Sequence, residues 1–169
     1  MTIARRDGGA GQTPFDGWFR HHPRIDSRVH SIAVTDSDLL IHKYKMFGSR
    51  SYNCIQWIEI KTFGKKPDIC QAEILWLFHQ RCHSREPQQL IDLWNRPRKV
   101  WNFGVHFLQL ESDIPKEGEQ MSWGVFSKPV MFDHLPIDWI NTKSVKSIED
   151  LLMFERDPDD PQKKLNLSV

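Results

Sequence analysis

The chain of 169 residues has few of the features that place a protein outside the cytoplasm or in a membrane. Its three cysteines, Cys54, Cys70 and Cys82, are too few for a disulfide framework and favour a reducing compartment. Charged residues interrupt the one sizeable apolar run, so no segment is expected to span a bilayer. No charged start followed by an apolar core and a cleavage site is present, so we expect a cytoplasmic protein without a secretory signal.

The chain also lacks an excess of charge of either sign, with 23 Lys and Arg against 22 Asp and Glu. The overall charge therefore does not indicate nucleic-acid binding, and any basic surface must arise from uneven placement of the cations. The sequence is rich instead in aromatic residues, which make up 11% of the chain and include seven tryptophans. This content excludes a disordered chain, and the length suits one domain with its own core.

Hydrophobic patterns predict an α/β fold, with a mixed central β-sheet flanked by helices. Ser147, followed three residues later by Asp150, predicts the start of a last helix. A long helix that begins at Asp68 is predicted to bury a stripe formed by Ile74, Leu75, Leu77, Phe78 and Cys82. The predicted elements are a helix over 14–22, strands over 27–35, 38–45 and 52–61, helices over 67–84 and 87–95, strands over 99–112 and 122–133, and the final helix.

The two ends of the chain lack such patterns. Residues 1–13 are rich in glycine and are predicted to be a flexible tail. The polar segment that begins at Arg156 is predicted to be solvated, and residues 158–169 are assigned to a solvated C-terminal tail. Residues 14–157 are therefore expected to form a single domain, with no internal repeat or linker.

The hairpin predicted from the second and third strands places charged residues on one face. Gly48-Ser49 suits a tight two-residue turn, which makes the numbers of opposed residues sum to 97. Asp38 then faces Glu59, and Asp36 faces Lys61, all on one face of the sheet. Like charges directly opposite each other destabilise a sheet. The register therefore indicates either a divalent cation between Asp38 and Glu59 or a protonated carboxyl group.

An amphipathic hairpin with a water-facing polar side is the alternative explanation of this pattern. It accounts poorly for Ile55 and Trp57, which are apolar and share the predicted face of Glu59. The charged residues also gather where the two strands end, and a concave site commonly opens at such ends.

The order and spacing of these residues resemble the core of the PD-(D/E)XK nuclease superfamily. Asp38 is followed, after a 20-residue gap, by Glu59-Ile60-Lys61, and the predicted element order is similar to that family's αβββαβ core. The resemblance covers residues 14 to about 110 and leaves the remainder as a C-terminal extension. Ser37 stands where the family name has proline, a residue that is often absent there.

The resemblance implies a metal-dependent nuclease that hydrolyses phosphodiester bonds in DNA, as an endonuclease or an exonuclease. Asp38 and Glu59 would bind Mg²⁺, with Mn²⁺ as a substitute, and the carbonyl oxygen of Ile60 would be a further ligand. The metal would acidify its bound water, and Lys61 would position that water and the phosphate. RNA as substrate, the preferred sequence or structure, and assembly as a homodimer are left open.

Three further residues are candidates for this site. Gln71 resembles a glutamine that RecB-like members carry on the helix after their acidic-x-Lys strand, but it also suits a capping box that begins with Asp68. Asp16 is placed like an additional metal ligand of the family, and surface exposure is the alternative. Asp36 is a second candidate acid, although turn capping explains it as well.

Cations suit phosphate contacts in three places, with ordinary solvation as the alternative for each residue. The three groups are Arg50, Lys65 and Lys66 near the predicted site, Arg20, Arg24 and Arg28 early in the chain, and Arg96, Arg98 and Lys99 later. The first group is expected to flank the predicted site.

His79, Cys82 and His83 have the helical spacing of zinc ligands, but no fourth ligand is evident. A buried cysteine beside two exposed histidines is the preferred interpretation.

Two other classes of function fit the same residues. A non-catalytic nucleic-acid-binding protein with this fold would need the basic surface but neither the metal nor Lys61. An interaction module would carry the Glu-x-Lys pattern by accident.

Overall fold

A computed structural model describes residues 14, 17–18, 22–24, 39–47, 49–127 and 135–165 of the chain. Within these residues the fold is α/β, with one mixed central sheet and two fully described helices. None of the helices in this part of the chain has the length and apolar character needed to cross a membrane. The elements are β1 (Leu39–Phe47), β2 (Arg50–Lys61), α1 (Ile69–Cys82), β3 (Gln88–Ile91), β4 (Pro97–Leu110), β5 (Met121–Phe126), β6 (Ile137–Thr142), α2 (Val145–Leu152), β7 (Arg156–Asp157) and β8 (Asp160–Lys164).

The central sheet has six strands with mixed pairing. β1 and β2 form an antiparallel hairpin, α1 then crosses over, and β4 pairs parallel to β2. β5 and β6 extend the sheet with antiparallel pairing, while β3 pairs antiparallel with the first residues of β4. β7 and β8 form a separate two-stranded hairpin. The predicted α/β class with a mixed central sheet is thus confirmed.

The β1–β2 hairpin has the predicted register. Phe47 pairs with Arg50 and Leu39 pairs with Ile58, so the numbers of opposed residues sum to 97 along the whole ladder. Two residues separate the strands, as the Gly48-Ser49 turn predicts. The register determines which face of the sheet each side chain of β2 occupies.

α1 begins where the sequence predicts. Asp68 is its N-cap, and the Asp68 side chain accepts a hydrogen bond from the backbone N–H of Gln71 at 2.7 Å. The predicted buried stripe is wrong in part, because Ile74 is 68% exposed and Leu77 is 58% exposed. The helix instead buries His79.

A β-bulge in β4 lies where α1 packs against the sheet and bears on which side chains of α1 are buried. The pairing of β2 with β4 shifts between Ile55 and Trp57, and Gly104 in β4 has a φ of 72°. A Cβ atom at Gly104 would lie 2.6 Å from Nδ1 of His79, so the position needs glycine for both its backbone angle and its space. The close approach of helix and strand therefore buries His79 in preference to Leu77.

The two helices cover opposite faces of the sheet. Phe78 of α1 packs edge-on against Trp57, with ring centroids 4.6 Å apart. On the other face, Nε2 of Gln56 donates to the carbonyl oxygen of Leu151 in α2 at 3.2 Å. Because successive residues of β2 alternate between the faces, Glu59 lies on the face of Trp57, which α1 covers.

Two of the predicted helices differ from the structure. Residues 87–95, predicted as a helix, contain β3, in which Leu90 pairs with Arg98 of β4. Apolar runs this short fit either a strand or a helix, and the pairing with β4 decides between them. α2 begins after Ser144, its N-cap, so the predicted start at Ser147 is also wrong.

The segment of residues 156–165 is not the solvated tail that its composition predicts. It forms the β7–β8 hairpin, and Leu165 is buried in the main core. The carbonyl oxygen of Pro158 accepts a hydrogen bond from Nε1 of the buried Trp123 at 2.9 Å. Although the composition of this segment is polar, a few of its groups are buried and attach it to the domain.

The N-terminal predictions fall largely outside the described residues. Pro14, Gly17 and Trp18 are helical, as the predicted first helix requires. The tail predicted over 1–13 and the strand predicted over 27–35 lie outside the described part of the chain.

Candidate active site

Glu59 is a buried carboxylate near the end of β2. It is 5% exposed, and it lies on the face of the strand that α1 covers. Its neighbours on this face, Ile55 and Trp57, are half-buried. Burial of a carboxylate is unfavourable unless charged or hydrogen-bonding groups surround it. The fold must therefore supply polar partners at this point.

Lys61 and Gln71 are two such partners. Nζ of Lys61 lies 2.6 Å from Oε1 of Glu59, and Nε2 of Gln71 donates to the same oxygen at 2.5 Å. Lys61 reaches Glu59 because residues two apart in a strand share a face, whereas Gln71 extends from the first turn of α1. The Lys61 side chain is 20% exposed, so the group meets solvent. The structure thus brings together three of the predicted catalytic residues, with Ile60 between two of them in the strand.

Gln71 acts on the helix and on the carboxylate through different atoms. Its backbone N–H caps the helix by donating to Asp68, while its side-chain amide donates to Glu59. A full capping box would direct the Gln71 side chain back to the backbone of Asp68. The observed contact therefore favours a role for the Gln71 side chain at the site.

The loop between β2 and α1 is anchored to β4 beside this group. The N–H of Gly64 donates to the carbonyl of Leu110 at 3.1 Å. Nε2 of Gln109 donates to the carbonyls of Gly64 and Lys65, at 2.9 and 2.8 Å. Lys65 and Lys66 are exposed in this loop, a few residues beyond the end of β2. Both cations therefore lie at the same end of β2 as Glu59.

Asp38, the predicted partner of Glu59, lies outside the described residues. Leu39, which follows Asp38 in the chain, pairs with Ile58, which precedes Glu59. The described register therefore reaches the residue next to each of the two acids. The other predicted residues outside the described part of the chain are Asp16, Asp36, Arg20 and Arg28.

The donors at this end of β2 are of the kind that a hard cation prefers. Carboxylate and carbonyl oxygens, such as those of Glu59 and Ile60, are suitable ligands for Mg²⁺. Among the described residues, no group of three or more His, Cys, Asp and Glu side chains could hold a metal ion. A metal site here therefore needs a further oxygen donor, and the predicted register names Asp38.

Two arginines predicted to contact phosphate lie elsewhere. Arg50 is the first residue of β2 and Glu59 is nearly the last, which separates them by about 30 Å along the strand. The prediction that Arg50 flanks the site is therefore wrong. Arg24 forms ion pairs with Glu149 and, at 3.1 Å, with Asp150, so its charge serves the packing against α2.

A second polar cluster, which the sequence does not predict, joins α1, β4 and the β7–β8 turn. Asp159 lies 2.8 Å from Nε2 of His83 and 3.1 Å from Nε2 of His106. Burial would raise the pKa of Asp159, but the hydrogen bonds with these histidines outweigh burial and hold the pKa well below its ordinary value. Burial, together with the nearby His83 and His106, lowers the pKa of His79 to about 4.

This cluster corrects the interpretation of the histidines in α1. His79 is buried, whereas the sequence predicts an exposed side chain. His83 binds Asp159, and Cys82 is a free, half-buried cysteine. The helical spacing of the two histidines is visible in the sequence, but Asp159 lies in the segment predicted to be solvated. No sequence signal therefore links them.

Comparison of the chain with protein-family models, with curated proteins and with solved structures gives no match. A functional assignment therefore depends on the geometry at the end of β2. That geometry combines a buried carboxylate, a partly exposed ammonium group and an amide within hydrogen-bonding distance.

Proposed function

We propose that the chain is a metal-dependent nuclease that hydrolyses phosphodiester bonds in DNA, with its active site at the Glu59 end of β2. The observation that carries the proposal is the convergence of Lys61 and Gln71 on one oxygen of a buried carboxylate. A solvated polar strand face would leave such groups in water. Burying them is unfavourable, and a functional site is a common reason for retaining buried charges.

The element order supports the resemblance to the PD-(D/E)XK superfamily. The Glu-x-Lys strand β2 follows an antiparallel partner, leads into α1, and is paired in parallel with β4. With the short β3 set aside, β1, β2, α1 and β4 correspond to the last four elements of an αβββαβ core. We therefore propose a restriction-endonuclease-like core over residues 14 to about 110, with the remainder as a C-terminal extension.

In this proposal Asp38, Glu59 and the carbonyl oxygen of Ile60 would hold Mg²⁺, and Mn²⁺ could replace it. All three are oxygen donors, which suits a hard cation. A bound divalent ion acidifies its water ligand and neutralises negative charge that develops on the phosphate. A cation between Asp38 and Glu59 would also remove the repulsion between two opposed acids that the predicted register otherwise contains.

Lys61 and Gln71 have separate tasks. The Lys61 ammonium is held by Glu59 yet partly exposed, so it is placed to orient the attacking water and to stabilise negative charge on the phosphate oxygens. Gln71 is a positioning residue, because its amide fixes the carboxylate of Glu59. Lys65 and Lys66, exposed in the next loop, are suited to contact phosphates that flank the cleaved bond.

Cleavage of a panel of DNA and RNA substrates tests the proposal, with Mg²⁺ or EDTA present. Glu59→Gln should abolish Mg²⁺-dependent cleavage, because an amide keeps the shape of the carboxylate but not the charge that binds the cation. Glu73→Gln is the matched control, since Glu73 is exposed on α1 and the chemical change is the same. Circular dichroism of each variant verifies the fold.

Mg²⁺-dependent cleavage that persists in the Glu59→Gln protein would contradict the assignment of this site. A wild-type protein that binds DNA but cleaves none of the substrates would favour the non-catalytic nucleic-acid-binding alternative.

A further inference from the structure

The beginning of β2, far from Glu59, lies beside an open groove. The groove has a volume of about 250 Å³ and is formed where β1 ends and where β2 and β4 begin. Its lining includes Tyr44, Arg50, Asn53, Arg98 and Lys99. No acidic side chain lines the groove among the described residues. This end of the sheet therefore presents a basic concave surface.

The floor of the groove is held in place by hydrogen bonds. Asn53 is 8% exposed, and its Oδ1 lies 3.0 Å from Nε2 of His42. Its Nδ2 donates to the backbone carbonyl of Lys99 at 3.2 Å, which joins β2 to β4 at the base of the groove. The cations around it are thus mounted on a fixed framework, not on a loop.

Positive charge exceeds negative charge around the groove. Arg50 and Lys99 form no ion pair with any described residue, and Nζ of Lys99 lies 5.6 Å from the ring centre of Tyr52. Asp92, in the turn after β3, binds Arg98 at 3.0 Å and Arg96 at 2.9 Å. Among the described residues, the lining therefore contains the cations Arg50, Arg98 and Lys99 and no carboxylate, and only Arg98 of these three is paired with Asp92.

Exposed aromatic rings accompany these cations. Trp94, at the tip of the β3–β4 turn, is 64% exposed and carries the Arg96 guanidinium 4.8 Å from its ring centre. Tyr44, in the lining of the groove, is 51% exposed. Cations mixed with exposed aromatic rings are typical of surfaces that bind nucleic acid, because phosphates pair with the cations and bases stack on the rings.

We propose that this groove binds the phosphodiester backbone of nucleic acid and anchors the substrate at a distance from the active site. The inference rests on the proposed nuclease function for its choice of ligand. The groove and the active site are about 20 Å apart along β2, because Asn53 and Glu59 are six residues apart in the strand. A duplex that occupies both places therefore extends over about six base pairs between them.

Duplex binding in EDTA tests the groove without any cleavage. Fluorescence anisotropy of a labelled duplex of about 20 base pairs should show roughly tenfold weaker binding for Arg50→Glu and for Lys99→Glu. Lys99→Ala is a milder variant, should a charge reversal disturb the fold. Lys146→Glu, an exposed cation on α2, is the matched control and should bind as the wild type does.

The salt dependence of the same binding gives a second readout. Each lost phosphate contact should reduce the slope of log affinity against log salt by about one, so the double variant of Arg50 and Lys99 should lose about two. A short duplex of about five base pairs cannot reach both places and should bind more weakly than the longer one.

Unchanged affinity and slope in both groove variants would overturn the inference. It would also be overturned if the variants lost binding to phosphatidylserine vesicles but kept duplex binding, since the groove would then serve a membrane surface. Groove-dependent duplex binding by a wild-type protein that never cleaves would support the groove and refute the nuclease. Cleavage that depends on Glu59, together with unchanged binding in the groove variants, would support the nuclease and refute the groove.

Discussion

The two ends of strand β2 hold charged side chains in contrasting environments. At the far end, the Glu59 carboxylate is buried and accepts contacts from Lys61 and Gln71 at 2.6 and 2.5 Å. At the near end, Arg50 and Lys99 are exposed around an open groove and form no ion pair with the described residues. The first environment suits one small, hard ion and a reacting group, and the second suits an extended polyanion.

Under the proposed function, this difference would separate substrate binding from chemistry along a single strand. Charges that are buried with fixed partners are preorganised, which is what a reacting group requires. Cations left in solvent contribute long-range attraction that depends on salt. Substitutions at the Glu59 end should therefore change rate, and substitutions at the Arg50 end should change affinity.

Among substitutions that leave the proposed metal ligands in place, replacement of Lys61 should produce the largest effect. Lys61→Ala is expected to lower the single-turnover cleavage rate by about 10²- to 10³-fold, because it removes charge stabilisation at the phosphate. Lys61→Arg should restore the rate only in part, since a planar guanidinium does not reproduce a compact ammonium group at one water. DNA affinity and cleavage should be measured on the same preparation.

Duplex affinity should stay within about threefold of the wild-type value in the Lys61→Ala protein. Binding that falls in proportion to cleavage would assign Lys61 to nucleic-acid binding, and the contrast between the two ends of β2 would disappear.

The stability of the protein should fall when one methyl group is added at the β4 bulge, which lies opposite the middle of β2. Gly104→Ala is expected to lower the free energy of unfolding by about 2–4 kcal/mol, from a positive φ and from overlap with His79. Gly118→Ala is the control, because Gly118 also has a positive φ, 89°, but has open space at its Cβ. It should cost about 1 kcal/mol.

Urea titration of both variants gives these values. An equal loss of stability in the two proteins would show that the close packing of α1 on the bulge contributes little.

Acid should weaken the packing of α1 through His79. The folded pKa of His79, about 4, lies below its ordinary value of 6.5, so its contribution to stability is complete above pH 6.5 and is lost as the pH falls towards 4. The loss is at most about 3 kcal/mol. Nδ1 of His79 accepts a hydrogen bond from the N–H of Val105 at 3.0 Å, and protonation of Nδ1 would break it.

His79→Leu should flatten the stability profile between pH 6.5 and 4, whereas Gln80→Leu, at an exposed neighbour on α1, should retain the slope. Asp159, whose folded pKa is also depressed, should add a loss that begins only below its ordinary pKa of 3.8. A slope that is identical in all three proteins would exclude His79 as its cause.

The arrangement of side chains at the Glu59 end of β2 could be predicted because turn and cap residues nearby in the sequence determine it. The two-residue turn fixes the register of the hairpin, and strand alternation then places Glu59 and Lys61 on one face. The Asp68 cap fixes the start of α1, which places Gln71 in its first turn. Each of these inferences depends on residues close together in sequence.

The remainder depends on pairings and contacts that the residue pattern of each segment does not reveal. β3 forms because Leu90 pairs with Arg98, although its residues alone fit a helix equally well. The Asp159 cluster needs His106 of β4 to meet a segment whose composition predicts solvation. Arg50 does not flank Glu59 for a simpler reason, since the length of an extended strand carries it far from that residue.

The most direct test of the account compares the two ends of β2 in one experiment. Duplex affinity without metal and single-turnover cleavage at saturating DNA with Mg²⁺ should be measured for Glu59→Gln and for Lys99→Glu. We expect the Glu59→Gln protein to bind DNA as the wild type does without cleaving it. We expect the Lys99→Glu protein to bind about tenfold more weakly yet to cleave at nearly the wild-type rate once saturated. Mg²⁺-dependent cleavage by the Glu59→Gln protein would contradict the account.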